Sequence, residues 1–136
     1  MKRFVQVACL LLVLSMVLAI PAVAAEQASD FFVSHSCYLW EVSDSEFQVW
    51  FDVTAVDAMD VLGASEIHIE QSSDGVNWST VASYYDIYRY GRSFSSGHVT
   101  YSNVTSGNYY RAEVTFYAEN DEGIGEYIDY TSSLRY

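Results

Sequence analysis

Apolar residues recur at every second position through most of this chain. The run 46–56, "EFQVWFDVTAV", puts Phe47, Val49, Phe51, Val53 and Ala55 on one side and Gln48, Trp50, Asp52 and Thr54 on the other. A period of two marks a strand with one buried face, because successive side chains point to opposite faces of a sheet. The run 110–119 repeats the pattern. Tyr110, Ala112, Val114, Phe116 and Ala118 share one face, and Arg111, Glu113, Thr115, Tyr117 and Glu119 the other. In "SEIHIEQ" (65–71), Ile67 and Ile69 point inward and Glu66, His68 and Glu70 outward. Runs at 36–42, 78–85, 97–103 and 126–134 complete seven predicted strands. In the last of these, Ile128, Tyr130 and Leu134 are expected to face the core.

Turn-forming residues separate the runs: "SDS", "DAMDVLGAS", "SSDG", "YGRSFSSG", "NVTSG" and "NDEG". Regularly spaced short strands with one polar face predict an all-β, antiparallel, seven-stranded β-sandwich, in which two inner faces share one core. A short helical turn fits near 57–64. In "SSDGVNW" (72–78), Asp74-Gly75 sets a hairpin turn, since glycine accepts positive φ without steric cost. Trp78 is expected over the core edge.

The N-terminus carries Lys2 and Arg3, an apolar run to Ile20, Pro21, and then small residues to Ala25. That order reads as a secretory signal peptide over residues 1–25, with an uncleaved anchor as the rival. Residues 26–35 read as a loose leader and 36–136 as the folded domain, secreted to the extracellular space with no membrane insertion after cleavage. The exported part keeps four arginines (Arg89, Arg92, Arg111, Arg135) against 18 carboxylates, which leaves a net charge of −14. Such a chain repels phosphate backbones and anionic bilayers, so nucleic acid is excluded as a partner. Only Cys37 remains after cleavage, so no internal disulfide forms, and Cys37 reads as a small buried residue.

Two motifs carry a resemblance. Ser72-x-Asp74-Gly75-x-x-Trp78-x-x-Val81 and, later, Ala118-x-Asn120-x-x-Gly123 resemble a middle hairpin and a strand-end turn of fibronectin type III-like and Ig-like modules. Those modules place a corner tyrosine eight residues before the asparagine. Here that position is Ala112, and Tyr110 lies nearest. The whole chain also resembles a group of small secreted proteins from clostridia-type Gram-positive bacteria, through its leader, "FDVTA" (51–55), "SSDGVNW" and "YYRAEVTFYA". That resemblance implies export and no chemistry, and sandwich folds host unrelated functions.

Catalytic patterns are sparse, and the chain is expected not to be an enzyme. Glu66 and Glu70 lie four apart on one strand, about 13 Å, whereas glycosidase carboxyl pairs need about 5–9.5 Å. His35, His68 and His98 have no metal spacing. No nucleophile elbow or phosphate loop occurs. No cofactor is called for. Calcium is the one alternative, at Asp57, Asp60, Asp121 and Glu122 in loops expected at one end of the sandwich, where solvated acidic loops are the simpler reading.

The stretch 83–96, "SYYDIYRYGRSFSS", has the composition of a binding loop. It holds Tyr84, Tyr85, Tyr88, Tyr90 and Phe94 together with Arg89 and Arg92. Tyrosine supplies large amphipathic area at low entropy cost, and arginine stacks on rings or forks onto carboxylates. Tyr84, Tyr85, Tyr88, Arg89, Tyr90 and Arg92 are therefore the expected contact residues for a protein or glycan partner, with Trp50 a neighbour. An aromatic-rich edge strand packed on its own sheet is the competing reading. The expected function is an exported, non-catalytic binding or structural interaction module. A secreted hydrolase or carbohydrate-binding accessory module is one alternative, and a secreted inhibitor or signalling factor another.

Overall fold

A computed structural model describes residues 30–136. The expected signal peptide, residues 1–25, lies outside the described residues. The fold is all-β and antiparallel. Its strands are β1 (Phe32–Ser43), β2 (Glu46–Ser72), β3 (Ser79–Tyr101), β4 (Tyr109–Asn120), β5 (Gly123–Tyr130) and β6 (Leu134–Arg135).

These six strands correct the expected seven. The runs 46–56 and 65–71 join into the single 27-residue β2, and 78–85 and 97–103 join into β3. The run 126–134 divides between β5 and β6. "DAMDVLGAS" and "YGRSFSSG" were expected as turns, with a helical turn near 57–64; both are strand. β1 begins at Phe32, so the last four residues expected as leader are strand too.

The length of β2 and β3 organises the molecule. The first part of β2 pairs with β1 from Phe47↔Glu41 to Ala55↔Phe32, and the second part pairs with β4 from Val61↔Glu119 to Ser72↔Tyr109. β3 follows β2 along both parts, and β5 and β6 flank β4. The two parts then lie face to face. Phe47 and Phe51 of the first meet Tyr110 and Phe116 of β4 at ring separations of 5.5 and 6.3 Å. Phe47, Val49, Phe51, Val53, Leu62, Ile67, Ile69, Tyr110, Val114 and Phe116 fill the space between. All but Leu62, which lies in the segment expected as a turn, belong to the inward sets read from the alternation. Burial of such side chains is the main stabilising term, roughly 1.5–3 kcal/mol each.

Tyr110 also ties the chain entering β4. Its ring is fully buried, and its hydroxyl accepts the Thr105 backbone N–H at 2.8 Å and donates to Gln71 Oε1 at 3.2 Å.

The parity of the last strand is reversed from expectation. Ile128 and Tyr130 are exposed, while Gly125 and Thr131 are buried. The register with β4 sets this, since Gly125, Tyr127 and Asp129 pair with the inward Ala118, Phe116 and Val114, and the Phe31 ring lies over Gly125 so closely that a Cβ there would meet it at 2.8 Å. A residue from the expected leader supplies the apolar cover that Ile128 was expected to give.

Candidate functional site

The tyrosine- and arginine-rich stretch 83–96 is not a loop. It is the middle of β3, where that strand passes from one part of β2 to the other. Between the pairs Thr54↔Phe94 and Met59↔Arg92, β2 runs through four residues (55–58) and β3 through one, Ser93. The unequal lengths bend the ladder. At this bend Arg89, Arg92, Ser93, Phe94, Ser95 and Ser96 line a cavity of about 460 Å³.

The expected contact residues divide between two roles. Tyr84 points inward, packs against the core and donates its hydroxyl to the Thr100 carbonyl at 2.7 Å. Burial raises its pKa. Tyr88 lies against Tyr117, ring centroids 5.5 Å apart. Burial first, then the neighbouring Asp86 carboxylate, pushes its hydroxyl up to about 12. These two rings are structural. Tyr85, Tyr90 and Phe94 are 58, 69 and 54% exposed, and Arg89 and Arg92 are exposed as well.

The other two arginines of the domain are engaged. Arg111 forms an ion pair with Glu70 at 2.5 Å, and its guanidinium sits between the rings of Trp78 (4.4 Å) and Tyr130 (4.7 Å). Trp78 thus covers Arg111 instead of the core edge. Arg135 lies over Tyr109 at 5.3 Å. Among the described residues, neither Arg89 nor Arg92 takes part in an ion pair. Trp50 is half-buried, donates its indole N–H to Gln48 Oε1 at 2.9 Å and stacks on His98 at 4.3 Å. It shares the outward face of Thr54 and Phe94, four residues along β2 from the Thr54↔Phe94 pair.

Ser95 escaped the sequence reading. It is 2% exposed and its hydroxyl has no hydrogen-bond partner. A signal was present: Ser95 shares the inward parity of Gly97, Val99 and Tyr101, so a hydroxyl at that position had to be buried.

The acids and histidines are dispersed. Asp57 and Asp60 are exposed on β2, and Asp121 and Glu122 are exposed at the β4–β5 turn. Among the described residues no three His, Cys, Asp or Glu side chains gather as a metal-ligand group, so the four calcium candidates do not form one. His35 packs between Phe116 and Tyr127, with Nδ1 3.5 Å from Asp129. His68 bridges Glu66 (2.9 Å) and Ser83 (2.8 Å). Glu113 and Glu119 do not pair with Arg111; they accept the hydroxyls of Tyr130 and Tyr117. Burial, with Asp129 adding to it, pushes the Cys37 thiol up to about 12, so it stays protonated.

Comparison with known proteins finds no family model that matches the chain, and no curated protein or solved structure similar to it.

Proposed function

We propose that this chain is an exported, non-catalytic binding module of the fibronectin type III-like or Ig-like kind, which contacts its partner through the bend of β3. The division of β2 and β3 between two packed layers supports the sandwich reading, as does the buried Tyr110 hydroxyl bonded back to Thr105. The observation that carries the functional reading is the side-chain set at the bend. Arg89 and Arg92, neither in an ion pair among the described residues, line a cavity of small-ligand size together with the largely exposed Phe94, and the exposed rings of Tyr85 and Tyr90 lie earlier on the same strand. Exposed aromatics and arginine are the residues that dominate binding energy at recognition surfaces.

The test is capture on a mixed array of glycans and secreted proteins, with the chain produced from its full-length gene. The double variant Y85A/Y90A is expected to lose capture by about tenfold or more while keeping its circular dichroism and melting temperature. Capture equal to that of the unaltered protein would sink the reading. Tyr88 is left in place because its ring packs on Tyr117 and its loss would confuse binding with folding.

A further inference from the structure

We propose that the cavity at the β3 bend is a binding site for the carboxylate of an acidic saccharide, a uronate, held by Arg89 and Arg92. The inference rests on the bend being the contact surface and names what that surface takes.

The charge distribution is the first argument. Eighteen carboxylates surround four arginines in the exported chain, so a guanidinium has acids in excess to pair with. Arg111 takes Glu70, yet Arg89 and Arg92 stand three residues apart, exposed, lining one cavity and without a carboxylate partner among the described residues. Two like charges so placed repel, and an anion between them relieves that repulsion. A guanidinium fork matches a carboxylate with two parallel hydrogen bonds. The site is complementary to an anion on a molecule that is otherwise strongly negative.

The lining decides the class of anion. Ser93 and Ser96 put hydroxyl-bearing residues on the wall, while the Ser95 side chain shares the inward parity of Val53 and is buried. Phe94 supplies an apolar wall, and the exposed ring of Tyr90 stands nearby in sequence on the same strand. Hydroxyls beside an aromatic face match a sugar, which offers hydroxyls at its edge and C–H groups on its face. A cavity of about 460 Å³ is within the range of small-ligand sites and holds one such ring. A polyphosphate strand fits poorly, because its dense charge meets the repulsion of the whole molecule at −14.

The experiment titrates the protein with three probes at low salt: tetragalacturonate, its fully methyl-esterified form, and tetra-aspartate. Tetragalacturonate is expected to bind at least about tenfold more tightly than the neutral ester, and R89Q/R92Q is expected to remove that preference, the size of effect a charge-assisted pair gives. F94A should weaken the two sugars alike. Circular dichroism confirms that each variant is folded. Equal binding of acid and ester, or an unchanged preference in R89Q/R92Q, overturns the uronate proposal. Tetra-aspartate binding as well as the sugar overturns it in favour of an acidic peptide. If only the ester binds and Y85A/Y90A abolishes it, the bend remains a contact surface and the anion site falls. If no probe binds, the uronate proposal falls on that result, and array capture decides separately on the surface.

Discussion

Among the described residues, Asp74 accepts four hydrogen bonds although it is exposed. Its carboxylate accepts the backbone N–H groups of Asn77 (2.8 Å) and Val76 (2.9 Å), the Asn77 side-chain amide (2.7 Å) and the Ser72 hydroxyl (2.8 Å). These bonds, led by the Asn77 backbone, hold its carboxyl well below the usual carboxylate range. A depressed folded-state pKa gives stability that is fully present above the unfolded value, about 4, and is lost as pH falls below it. D74A is therefore expected to melt below the unaltered protein at pH 7, with the gap narrowing steadily as pH falls below about 4. A gap that stays constant across a pH series of melting curves would show that the turn does not depend on the charge. Cys37 makes the opposite prediction about reactivity. With its thiol pushed up to about 12, it is expected to react with iodoacetamide at pH 8 at least about tenfold more slowly than free cysteine, whose ordinary pKa is near 8.5. Alkylation followed by mass spectrometry measures this, and a rate equal to that of free cysteine would mean that the β1–β2 edge opens.

Among the strands, β4 and the two ends of β2 were legible because their buried faces alternate there. The continuity of β2 and β3 was not. Residues 57–65 and 90–97 carry the Gly, Ser and Asp that mark turns, yet here they mark places where a paired strand bends between layers. Composition does not distinguish a strand that stops from one that turns a corner. The binding residues followed the same division: type and neighbourhood were readable, but the inward turn of Tyr84 and the support of Tyr88 by Tyr117 depend on register. Gly63 shows how tightly that register is set. It pairs with Tyr88 on one side and Tyr117 on the other, and the two rings meet across it. A Cβ at position 63 would run into the Ile87 backbone carbonyl and reach 3.0 Å from Tyr88 Cα. Backbone yields less readily than a side-chain tip, so G63A must part β2 from β3. It is expected to cost about 1–3 kcal/mol in urea unfolding. A cost near zero would mean that the strands separate freely there, and with them the approach to the β3 bend.

At the scale of the whole molecule, charge acts on stability and on recognition in opposite directions. Residues 26–136 carry −14, and among the described residues Arg111–Glu70 is the one arginine–carboxylate ion pair. Most acids therefore repel one another across a compact body, which weakens the folded state relative to the extended one. Screening shortens that repulsion from about 30 Å at 10 mM salt to a few ångströms near 1 M. Raising sodium chloride from about 10 to 500 mM is expected to raise the melting temperature by several degrees, since about 1 kcal/mol corresponds to roughly 4–8 °C for a domain this small. Calcium chloride at matched ionic strength should do no more, because no three candidate ligands gather among the described residues. A clearly larger rise with calcium would reveal an ion site that screening does not explain. Uronate binding runs the other way: a contact between two guanidiniums and a carboxylate weakens with the same salt that stabilises the fold. A protein that grows more stable while its affinity for tetragalacturonate falls separates the two effects in one titration series. If affinity and melting temperature rise together with salt, binding at the β3 bend is apolar, and the charge of Arg89 and Arg92 does not drive it.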